Sequence, residues 1–308
     1  MVDMEDADVT AIRRFNRFYT QTIGALDARF LSTEASLPEA RLLFEIATRE
    51  PVTASVLQDA LGMDAGYLSR VVARFEKRGW VVRVRRDDDA RVRDLRLTET
   101  GRAAFATLDQ RQSGAVGDLL GMVGGQGRRD LVEALTRARL LLDPASGGPF
   151  VIRPFRTGEP ALVAARQSML YAESHGWGRE LETIESEVTA AFLRDFDPAR
   201  EQCWIAEIDG GMAGAVFVTD EGEGIARLRL LHVEPFARRR GIGDALVGAC
   251  VSFAQKTGYR ALVLWTQTVL ESARRIYAAH GFVCVETAMH ERFGAPLQGE
   301  TWRLELAA

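Results

Sequence analysis

A short basic segment, EPFARRRGIGDA at residues 234–245, has a residue pattern that could bind an anionic group. Three arginines at 238–240 are followed by Gly241 and Gly243. The apolar segment before it has the composition of a buried strand, and the segment after it has helical periodicity. Because unpaired N–H groups converge where a helix begins after a strand, the junction suits a pyrophosphate. A patch for nucleic acid, or a tight turn with solvated arginines, would use the same residue types.

The spacing of the glycines narrows the choice of ligand. The segment does not fit the dinucleotide fingerprint, since residue 246 is leucine, and it is not a Walker motif. RRRGIG instead resembles the Arg/Gln-x-x-Gly-x-Gly/Ala signature of the GNAT superfamily of N-acetyltransferases. Further segments resemble successive elements of that fold: FVIRPF, WIAEIDGGMAGAVFV, ARLRLLHVEP, ALVLWT and ARRIYAAHGF. The resemblance covers residues 150–306 and implies an α/β GNAT acyltransferase fold with a mixed, splayed sheet and acetyl-CoA as the cofactor.

The resemblance also implies roles for individual residues. Where the fourth and fifth strands splay, free backbone groups would grip the pantetheine arm, and Tyr277 would act as the general acid for the departing sulfur. Because a free thiol has a pKa of about 8.5 and a tyrosine one of about 10, Tyr277 is expected to aid catalysis without being indispensable. Thr268 and Glu271 are expected to form a capping box before it, and Leu270 stands where many members carry Asn. The implied cofactor-binding residues are Leu231, His232, Val233, Arg238, Arg239, Arg240, Gly241, Ile242 and Gly243.

No single general base follows from the sequence. Candidates are His232, Glu173, His175 and His290, and a chain of water molecules would serve as well. The three cysteines and four histidines lack the spacing of metal ligands, so no metal is expected. The segment MLYAESHGWGRELE is expected to line a site for an amine-bearing small molecule, with Tyr171, Glu173, Trp177 and Glu182 as its residues.

Positive charge that could meet nucleic acid is concentrated in residues 70–96. The whole chain of 308 residues has a net charge of −4, which argues against a uniformly basic nucleic-acid-binding protein. Residues 70–96, however, contain ten Lys and Arg against five Asp and Glu. The sequence therefore predicts a local interface for nucleic acid in this segment.

The same region has helix-turn-helix spacing. Thr53 is predicted to cap a short helix ending near Leu61, Gly62 makes the turn, and Asp64 caps a second helix that runs through Arg78. A cationic face on the second helix suits a recognition helix in a major groove. Its apolar stripe consists of Leu68, Val71, Val72 and Phe75, and its cationic face of Tyr67, Arg70, Arg74 and Lys77.

A β-hairpin with its tip at residues 87–90 follows this helix, and arginines at the tip are well placed to enter a minor groove. DDDARVRDLRLTETG resembles the wing signature of MarR family winged-helix regulators, Asp-x-Arg followed by Leu-Thr-x-x-Gly. The resemblance covers residues 8–142. It implies a homodimer held by the N-terminal domain, including a first helix over residues 8–31, on an operator in double-stranded DNA. The predicted DNA-binding residues are Tyr67, Ser69, Arg70, Arg74, Arg91 and Arg93.

The composition changes at LLLDPASGGPFVIRPF, which predicts a linker at 143–149 between a MarR-like winged-helix domain (1–142) and a GNAT domain (150–308). The acidic start and the lack of a long apolar run predict a cytoplasmic protein without a membrane partner. The sequence thus predicts a bifunctional transcriptional regulator and N-acetyltransferase. Two alternatives remain: a GNAT-like domain that senses an acyl-CoA or small ligand without turnover, and, because of the acidic residues at 87–89, a first domain that only dimerises.

Overall fold

The structure, a computed structural model, describes residues 4–27, 29–86 and 92–306. The chain divides into two compact units, one up to Gln126 and the other from Gly127 onward. The first unit is mainly helical with a small antiparallel sheet. The second is an α/β unit built around a mixed sheet, so the predicted fold classes are confirmed.

The first unit has the element order of a winged helix. It contains α1 (Met4–Thr22), α2 (Leu37–Arg49), β1 (Val52–Thr53), α3 (Ala54–Leu61), α4 (Ala65–Lys77), β2 (Val81–Arg85), β3 (Arg93–Leu97) and α5 (Glu99–Gly121). Among the described residues the small sheet has the order β1-β3-β2, with antiparallel pairs. The first helix is shorter than predicted, because the chain turns at Gly24, which has a φ of 64°.

The caps predicted for the helix-turn-helix are present. The Thr53 side chain accepts a hydrogen bond from the Val56 N–H at the start of α3. At the start of α4, the Asp64 carboxylate accepts one from the Tyr67 N–H at 2.8 Å. All four residues of the predicted apolar stripe are buried, the most accessible being Leu68 at 3% exposure. The apolar face of α4 is therefore fixed in the core, and its polar face is left outside.

Thr98 and Gly101, from the wing signature, hold the start of α5 against the hairpin. Thr98 accepts a hydrogen bond from the Gly101 N–H at 3.0 Å, and its hydroxyl donates to the Gly79 carbonyl. A Cβ on Gly101 would lie 1.9 Å from the Trp80 carbonyl oxygen. Any side chain at this position would therefore push α5 away from the hairpin.

The second unit is organised around its large sheet. It contains α6 (Gly125–Leu142, of which the first two residues belong to the first unit), β4 (Phe150–Pro154), α7 (Glu159–His175), α8 (Arg179–Asp195), β5 (Gln202–Ile208), β6 (Gly211–Asp220), β7 (Ile225–Val233), α9 (Ile242–Thr257), β8 (Ala261–Gln267), α10 (Glu271–Ala279), β9 (Val283–His290) and β10 (Leu297–Glu305). Among the described residues the strand order is β4-β5-β6-β7-β8-β10-β9, and only β7 and β8 pair in parallel.

Helices cover both faces of this sheet. Leu246 of α9 is buried in one cluster with Val216 of β6, and Phe192 of α8 in another with Phe217 of β6. Because neighbouring residues of a strand point to opposite faces, the adjacent pair Val216 and Phe217 contributes to both layers.

Helix α6 and the linker are fastened to the second unit. Leu140 of α6 is fully buried in its core. Asp209, in the turn between β5 and β6, binds the Arg139 guanidinium at 2.6 Å and the Gly148 N–H at 3.1 Å. The predicted linker segment is therefore held by defined hydrogen bonds.

One predicted helix start is wrong. Helix α10 begins at Glu271, but no side chain caps it, and the predicted capping box with Thr268 does not form. The Thr268 N–H instead donates to a carbonyl of β10 at 3.0 Å, so this residue extends the sheet. A contact of capping-box type opens α2, where the Glu39 carboxylate accepts the Ser36 N–H at 2.9 Å.

Replacement of Gly101 by alanine is expected to destabilise the first unit by at least about 2 kcal/mol, because the new Cβ would overlap the Trp80 carbonyl oxygen. Gly117→Ala in the same helix is the matched control, since no described atom lies within 4 Å of its Cβ position. That change should stabilise the helix by about 0.5–1 kcal/mol. Chemical denaturation followed by circular dichroism measures both, and equal effects would contradict the packing argument.

Candidate functional site

Two neighbouring strands of the large sheet separate towards their carboxyl ends. β7 and β8 pair from Ile225 with Ala261 to Leu228 with Leu264, and no pairing between them follows in the described residues. Both strands nevertheless continue, β7 as far as Val233. Main-chain groups that an adjacent strand would otherwise satisfy face this opening, so a bound molecule can hydrogen-bond to them.

A bulge in β7 lies beside this opening. Leu230 and Leu231 of β7 stand opposite a single residue of β6, Val216. Leu230 has a φ of 51°, a left-handed conformation that is unfavourable for leucine. Strain of this kind is often found at functional sites, because the surrounding structure must hold it in place.

A cavity with an empty volume of about 800 Å³, its open mouth included, lies at the opening. Four aromatic side chains in its lining form what we call the aromatic wall: Tyr171, Trp177, Trp265 and Phe293. The ring centroids of Tyr171 and Trp177 are 5.0 Å apart, as are those of Trp177 and Phe293. This wall suits a ligand with an apolar body.

A buried carboxylate that the sequence analysis did not single out lines the same cavity. Glu185 of α8 is 2% exposed and accepts a hydrogen bond from the Ser168 hydroxyl. Burial raises the pKa of Glu185 from 4.5 to about 7; the Ser168 hydrogen bond opposes the rise, and the charge of Glu182 adds to it. Glu185 therefore changes charge near neutral pH, which suits a general base.

Two tyrosines and a glutamine add polar groups to the cavity. Burial raises the pKa of Tyr171 to about 12 and also raises that of Tyr277, so both phenols stay protonated at neutral pH. The Gln167 Nε2 donates to the Leu231 carbonyl at 3.1 Å, which ties α7 to the bulge. The Gln167 Oε1 is buried and has no partner with hydrogen-bond geometry among the described residues. It is available to accept a hydrogen bond from a ligand.

The four predicted acceptor residues fall into two groups. Tyr171 and Trp177 line the cavity, whereas Glu173 and Glu182 are exposed and lie outside its described lining. Helix periodicity explains the placement of Glu182, because α8 turns residues 181, 185 and 188 towards the cavity. The sequence does place Glu185 on the same helix face as apolar residues of α8. That position indicates burial only once α8 is known to pack on this sheet.

The histidines named as candidate bases are absent from the described lining of the cavity. Burial lowers the pKa of His232 to about 4, so this side chain stays neutral at physiological pH. His175 packs on Trp177 with ring centroids 4.6 Å apart, and the His290 Nε2 lies 2.8 Å from the Gln267 Oε1. Burial lowers the pKa of both.

The predicted anion-binding turn lies between β7 and α9. Gly241 and Arg239 have φ values of 81° and 64°, so the turn uses left-handed backbone at two positions. No side chain caps α9, which leaves the N–H groups of its first turn able to bind an anion. Gly243 serves packing, because a Cβ there would lie 2.9 Å from the Ile276 Cδ1.

The three arginines of the turn have different surroundings. Arg238 and Arg239 are exposed, and neither guanidinium forms a hydrogen bond or ion pair with another described residue. The Arg240 Nη2 donates to the Gly147 carbonyl at 2.9 Å and also to the Gly148 carbonyl. Arg240 therefore fastens the linker, while Arg238 and Arg239 are available to an anionic ligand.

The other predicted cofactor residues differ in what they can offer. Leu231 lines the cavity. Val233 is partly buried against the core, and Ile242 is 1% exposed within it. Because their side chains are occupied in packing, Val233 and Ile242 can meet a ligand only through their main chain.

The predicted DNA-binding residues of α4 are mostly exposed. Ser69 and Arg70 are exposed, and Tyr67 is half-buried. Arg74 is bound to α2, with its Nε 2.9 Å from the Glu39 carboxylate. Arg70 is therefore free to bind a phosphate or base, whereas Arg74 also holds two helices together.

The hairpin adds cations beside α4. Arg93 of β3 is exposed and pairs directly across from Arg85 of β2. Like charges opposite each other are unfavourable in the free hairpin, so a nearby anion would relieve their repulsion. Arg91 and residues 87–89, which the sequence analysis places at the tip, lie outside the described residues.

Two family models match the chain. The model described as MarR family matches residues 36–92, and the model described as acetyltransferase (GNAT) family matches residues 167–282. The chain contains a MarR family domain followed by a GNAT acetyltransferase domain. The GNAT match includes the bulge, the anion-binding turn and Tyr277.

The chain also has relatives among N-acetyltransferases. It is 37% identical over 106 residues to N-acetyltransferase 8 of Homo sapiens, covering 32% of this chain and 45% of that protein. It is 29% identical over 122 residues to an uncharacterised N-acetyltransferase of Schizosaccharomyces pombe, covering 39% and 74%. A Salmonella typhimurium protein solved with its cofactor acetyl-CoA aligns with 15% identity and a TM-score of 0.42, covering 52% of this chain and 95% of that one. The chain spans less than half the length of the human relative.

In the part of the chain that the structure describes, none of the helices has the length and hydropathy of a membrane span. No group of three or more His, Cys, Asp or Glu in these residues could hold a metal ion.

Glu185→Gln is expected to raise the free energy of unfolding of the GNAT domain at pH 8. The pKa of Glu185 is about 7 in the folded protein and 4.5 ordinarily. Between these pH values Glu185 is ionised in the unfolded chain but protonated in the folded one. The unmodified protein therefore loses stability as the pH rises from about 4.5 to 7. The gain over the unmodified protein should be on the order of 3 kcal/mol larger at pH 8 than at pH 4.5.

Denaturant unfolding of both proteins at the two pH values measures this difference. Glu182→Gln, one turn away and exposed, is the control and should show a much smaller pH-dependent gain. A Glu185→Gln gain that does not change with pH would contradict the raised pKa.

Proposed function

We propose that the chain is a DNA-binding regulator that is also an N-acetyltransferase, moving an acetyl group from acetyl-CoA to the amine of a small molecule. The observation that carries the enzymatic half is the opening between β7 and β8, whose cavity holds both Glu185 and Tyr277. A titratable base and a protonated phenol in one partly dry cavity suit proton transfer at either end of an acyl transfer.

The turn before α9 fits the pyrophosphate of acetyl-CoA. Gly241 leaves the N–H groups at the start of α9 uncapped, and Arg238 and Arg239 are unpaired cations beside them in sequence. The main chain of β7 beyond Leu228, which β8 no longer pairs, suits the pantetheine arm and the thioester carbonyl. When bound there, acetyl-CoA supplies an activated acetyl group as a thioester.

Glu185 is the general base of this proposal. As the acceptor nitrogen forms the amide bond, it must lose a proton, and Glu185 accepts that proton directly or through a water molecule. The unpartnered Gln167 Oε1 accepts a second N–H and orients the amine. Glu185 was not among the candidate bases of the sequence analysis.

Tyr277 acts at the opposite end of the reaction. Its raised pKa keeps the hydroxyl protonated, so it donates a hydrogen bond or its proton to the sulfur that leaves. A thiol has a pKa of about 8.5, so the sulfur can also leave as a thiolate. Loss of Tyr277 is therefore less damaging than loss of Glu185.

Glu185→Gln is expected to lower kcat/KM by about 100- to 10,000-fold above pH 7, as loss of a general base does. The measurement is CoA release with a panel of amines, and the diagnostic quantity is the ratio of unmodified to variant kcat/KM against pH. Ionisation of the amine affects both proteins equally and cancels in this ratio. The ratio should rise with pH to a plateau, with an apparent pKa near 7. Tyr277→Phe should lower kcat/KM less than Glu185→Gln does, because the sulfur can also leave as a thiolate.

Glu182→Gln is the control, since it removes a carboxylate from the same helix but outside the cavity lining. This variant should retain activity. Its kcat/KM should rise at a slightly lower pH than that of the unmodified protein, because the charge of Glu182 raises the pKa of Glu185. A pH-independent ratio for Glu185→Gln would exclude Glu185 as the base. Binding of acetyl-CoA without CoA release from any amine would favour the sensor alternative.

The DNA-binding half of the proposal rests on α4 and the hairpin. Arg70 of α4 and Arg93 of β3 are exposed cations, and the apolar face of α4 is already occupied by the core. We infer that α4 enters the major groove and that the hairpin reaches the neighbouring backbone or minor groove.

A homodimer is also proposed, through the first helix. Val9, Ile12, Phe15 and Phe18 of α1 are each at least 47% exposed in the chain. An apolar row of this length on one helix needs a cover, and a second copy of α1 would supply it. Two tethered recognition helices would then bind one operator more tightly than one.

Arg70→Ala and Arg93→Ala are each expected to weaken binding to the operator by at least about 10-fold and to lower the salt dependence by about one ion per lost contact. Fluorescence anisotropy with the DNA that flanks the coding gene measures both quantities. Arg179→Ala, an exposed arginine of the GNAT domain, removes the same charge and should have no effect. Unchanged affinity of both variants would exclude Arg70 and Arg93 as DNA contacts, and absence of specific binding by the unmodified protein would support a domain that only dimerises.

A further inference from the structure

Two arginines of β7 border the candidate acetyl-transfer cavity. Arg227 and Arg229 both line it, four and two residues before the bulge residue Leu231. Their side chains are 25% and 34% exposed, so both guanidiniums are largely withdrawn from solvent. The mechanism proposed above uses neither of them.

A single carboxylate is shared between the two guanidiniums. The Glu221 Oε1 lies 2.9 Å from the Arg227 Nε and 2.9 Å from the Arg229 Nη2. The Arg227 contact is an ion pair without hydrogen-bond geometry, so the buried Arg227 Nε has no hydrogen-bond acceptor among the described residues. The Arg229 Nε also donates a hydrogen bond to the Thr219 hydroxyl at 3.2 Å.

The three contacting side chains carry a net positive charge, because two guanidiniums share the carboxylate of Glu221. Burial together with the neighbouring Arg227 lowers the pKa of Arg229. Glu185 lines the same cavity, and its raised pKa of about 7 leaves it partly protonated at neutral pH.

Arg229 and Glu221 also line a second hollow, which has four more carboxylates. Asp220 is bound by Arg200, Glu201 by main-chain N–H groups and Asp195 by Arg194, and Glu187 is exposed to solvent. A second carboxylate, brought by a ligand, would restore the balance and satisfy the spare donors.

The cavity therefore offers three kinds of contact to one molecule. Glu185 and the Gln167 Oε1 suit an amine, the arginine pair suits a carboxylate, and the aromatic wall suits an apolar side chain. These are the three substituents on the Cα of an apolar amino acid.

We propose that Arg227 and Arg229 form a carboxylate subsite and that the acceptor is an apolar α-amino acid or a close derivative with a free carboxylate. The inference rests on the acetyl-transfer function proposed above. It adds the substrate class, because most amines without an acidic group would bring no counter-ion for the positive charge that Glu221 leaves unbalanced on the arginine pair.

Matched amines test the subsite. The pairs are phenylalanine with phenethylamine, leucine with isoamylamine, and alanine with ethylamine, each pair differing by the carboxylate. The unmodified protein should acetylate the acid of at least one apolar pair about 10- to 100-fold more efficiently than its partner, as a charge-assisted Arg–carboxylate contact allows. Arg227→Gln and Arg229→Gln should bring that ratio towards one, whereas Arg179→Gln should leave it unchanged.

Glu221→Gln distinguishes a binding role from a structural one. Removal of the shared carboxylate leaves both guanidiniums free for the ligand, so the preference for the acid should increase by several-fold. Damage to the fold would lower activity towards both members of a pair and would not increase the ratio. A preference for the decarboxylated amines, or a ratio that none of the three variants changes, would overturn the proposal.

The subsite can also be tested without catalysis. Calorimetric titration compares N-acetylphenylalanine with N-phenethylacetamide, which lacks the carboxylate. Absence of CoA release from every amine, together with tighter binding of the acid that Arg227→Gln abolishes, would refute acetyl transfer and retain the subsite. CoA release from the neutral amines together with equal binding of the two amides would refute the subsite and retain acetyl transfer.

Discussion

The pairing of β7 with β8 stops at Leu228, and the chemistry of the second unit depends on that interruption. A continuous parallel pair would satisfy its main chain internally and leave no room between the strands. The bulge at Leu230 and Leu231 takes β7 out of register at the same place. The strained backbone at Leu230 therefore lies beside an opening in which main-chain groups of the sheet can hydrogen-bond to a ligand.

The opening also defines the electrostatics of the cavity. Helix α8 covers this face of the sheet and brings Glu185 into surroundings dry enough to raise its pKa to about 7. The same burial keeps Tyr171 and Tyr277 protonated. Burial raises the pKa of both kinds of group, with different results at neutral pH. The carboxyl can gain and lose a proton there, whereas the phenols stay protonated.

Arg240 connects the anion-binding turn to the linker. It stands beside two exposed arginines that suit a pyrophosphate, yet its own guanidinium donates to the carbonyls of Gly147 and Gly148. The linker is held a second time by Asp209, which also binds Arg139 of α6. Movement of the turn on ligand binding would therefore be felt by the linker and α6, within the second unit.

Local signals in the sequence predicted local structure well. Thr53 and Asp64 cap their helices as predicted. The capping box at Thr268 failed because sheet pairing took its N–H, a competition that spacing alone does not show. Glu185 was not singled out and Arg240 was expected to bind the cofactor, since the contacts that define their surroundings lie 17 and 93 residues away. Buried polar groups of this kind are defined by tertiary packing, whereas caps and turns are defined by their neighbours in the chain.

The titration of Glu185 tests the central claim most directly, because the proposed base must exchange its proton near neutral pH. Carbon-13 NMR of the glutamate side-chain carboxyls, with Glu185→Gln to assign the resonance, reports its ionisation in the intact protein. The account predicts an apparent pKa near 7 for this carboxyl. A value below about 5, close to that of an ordinary glutamate, would contradict it.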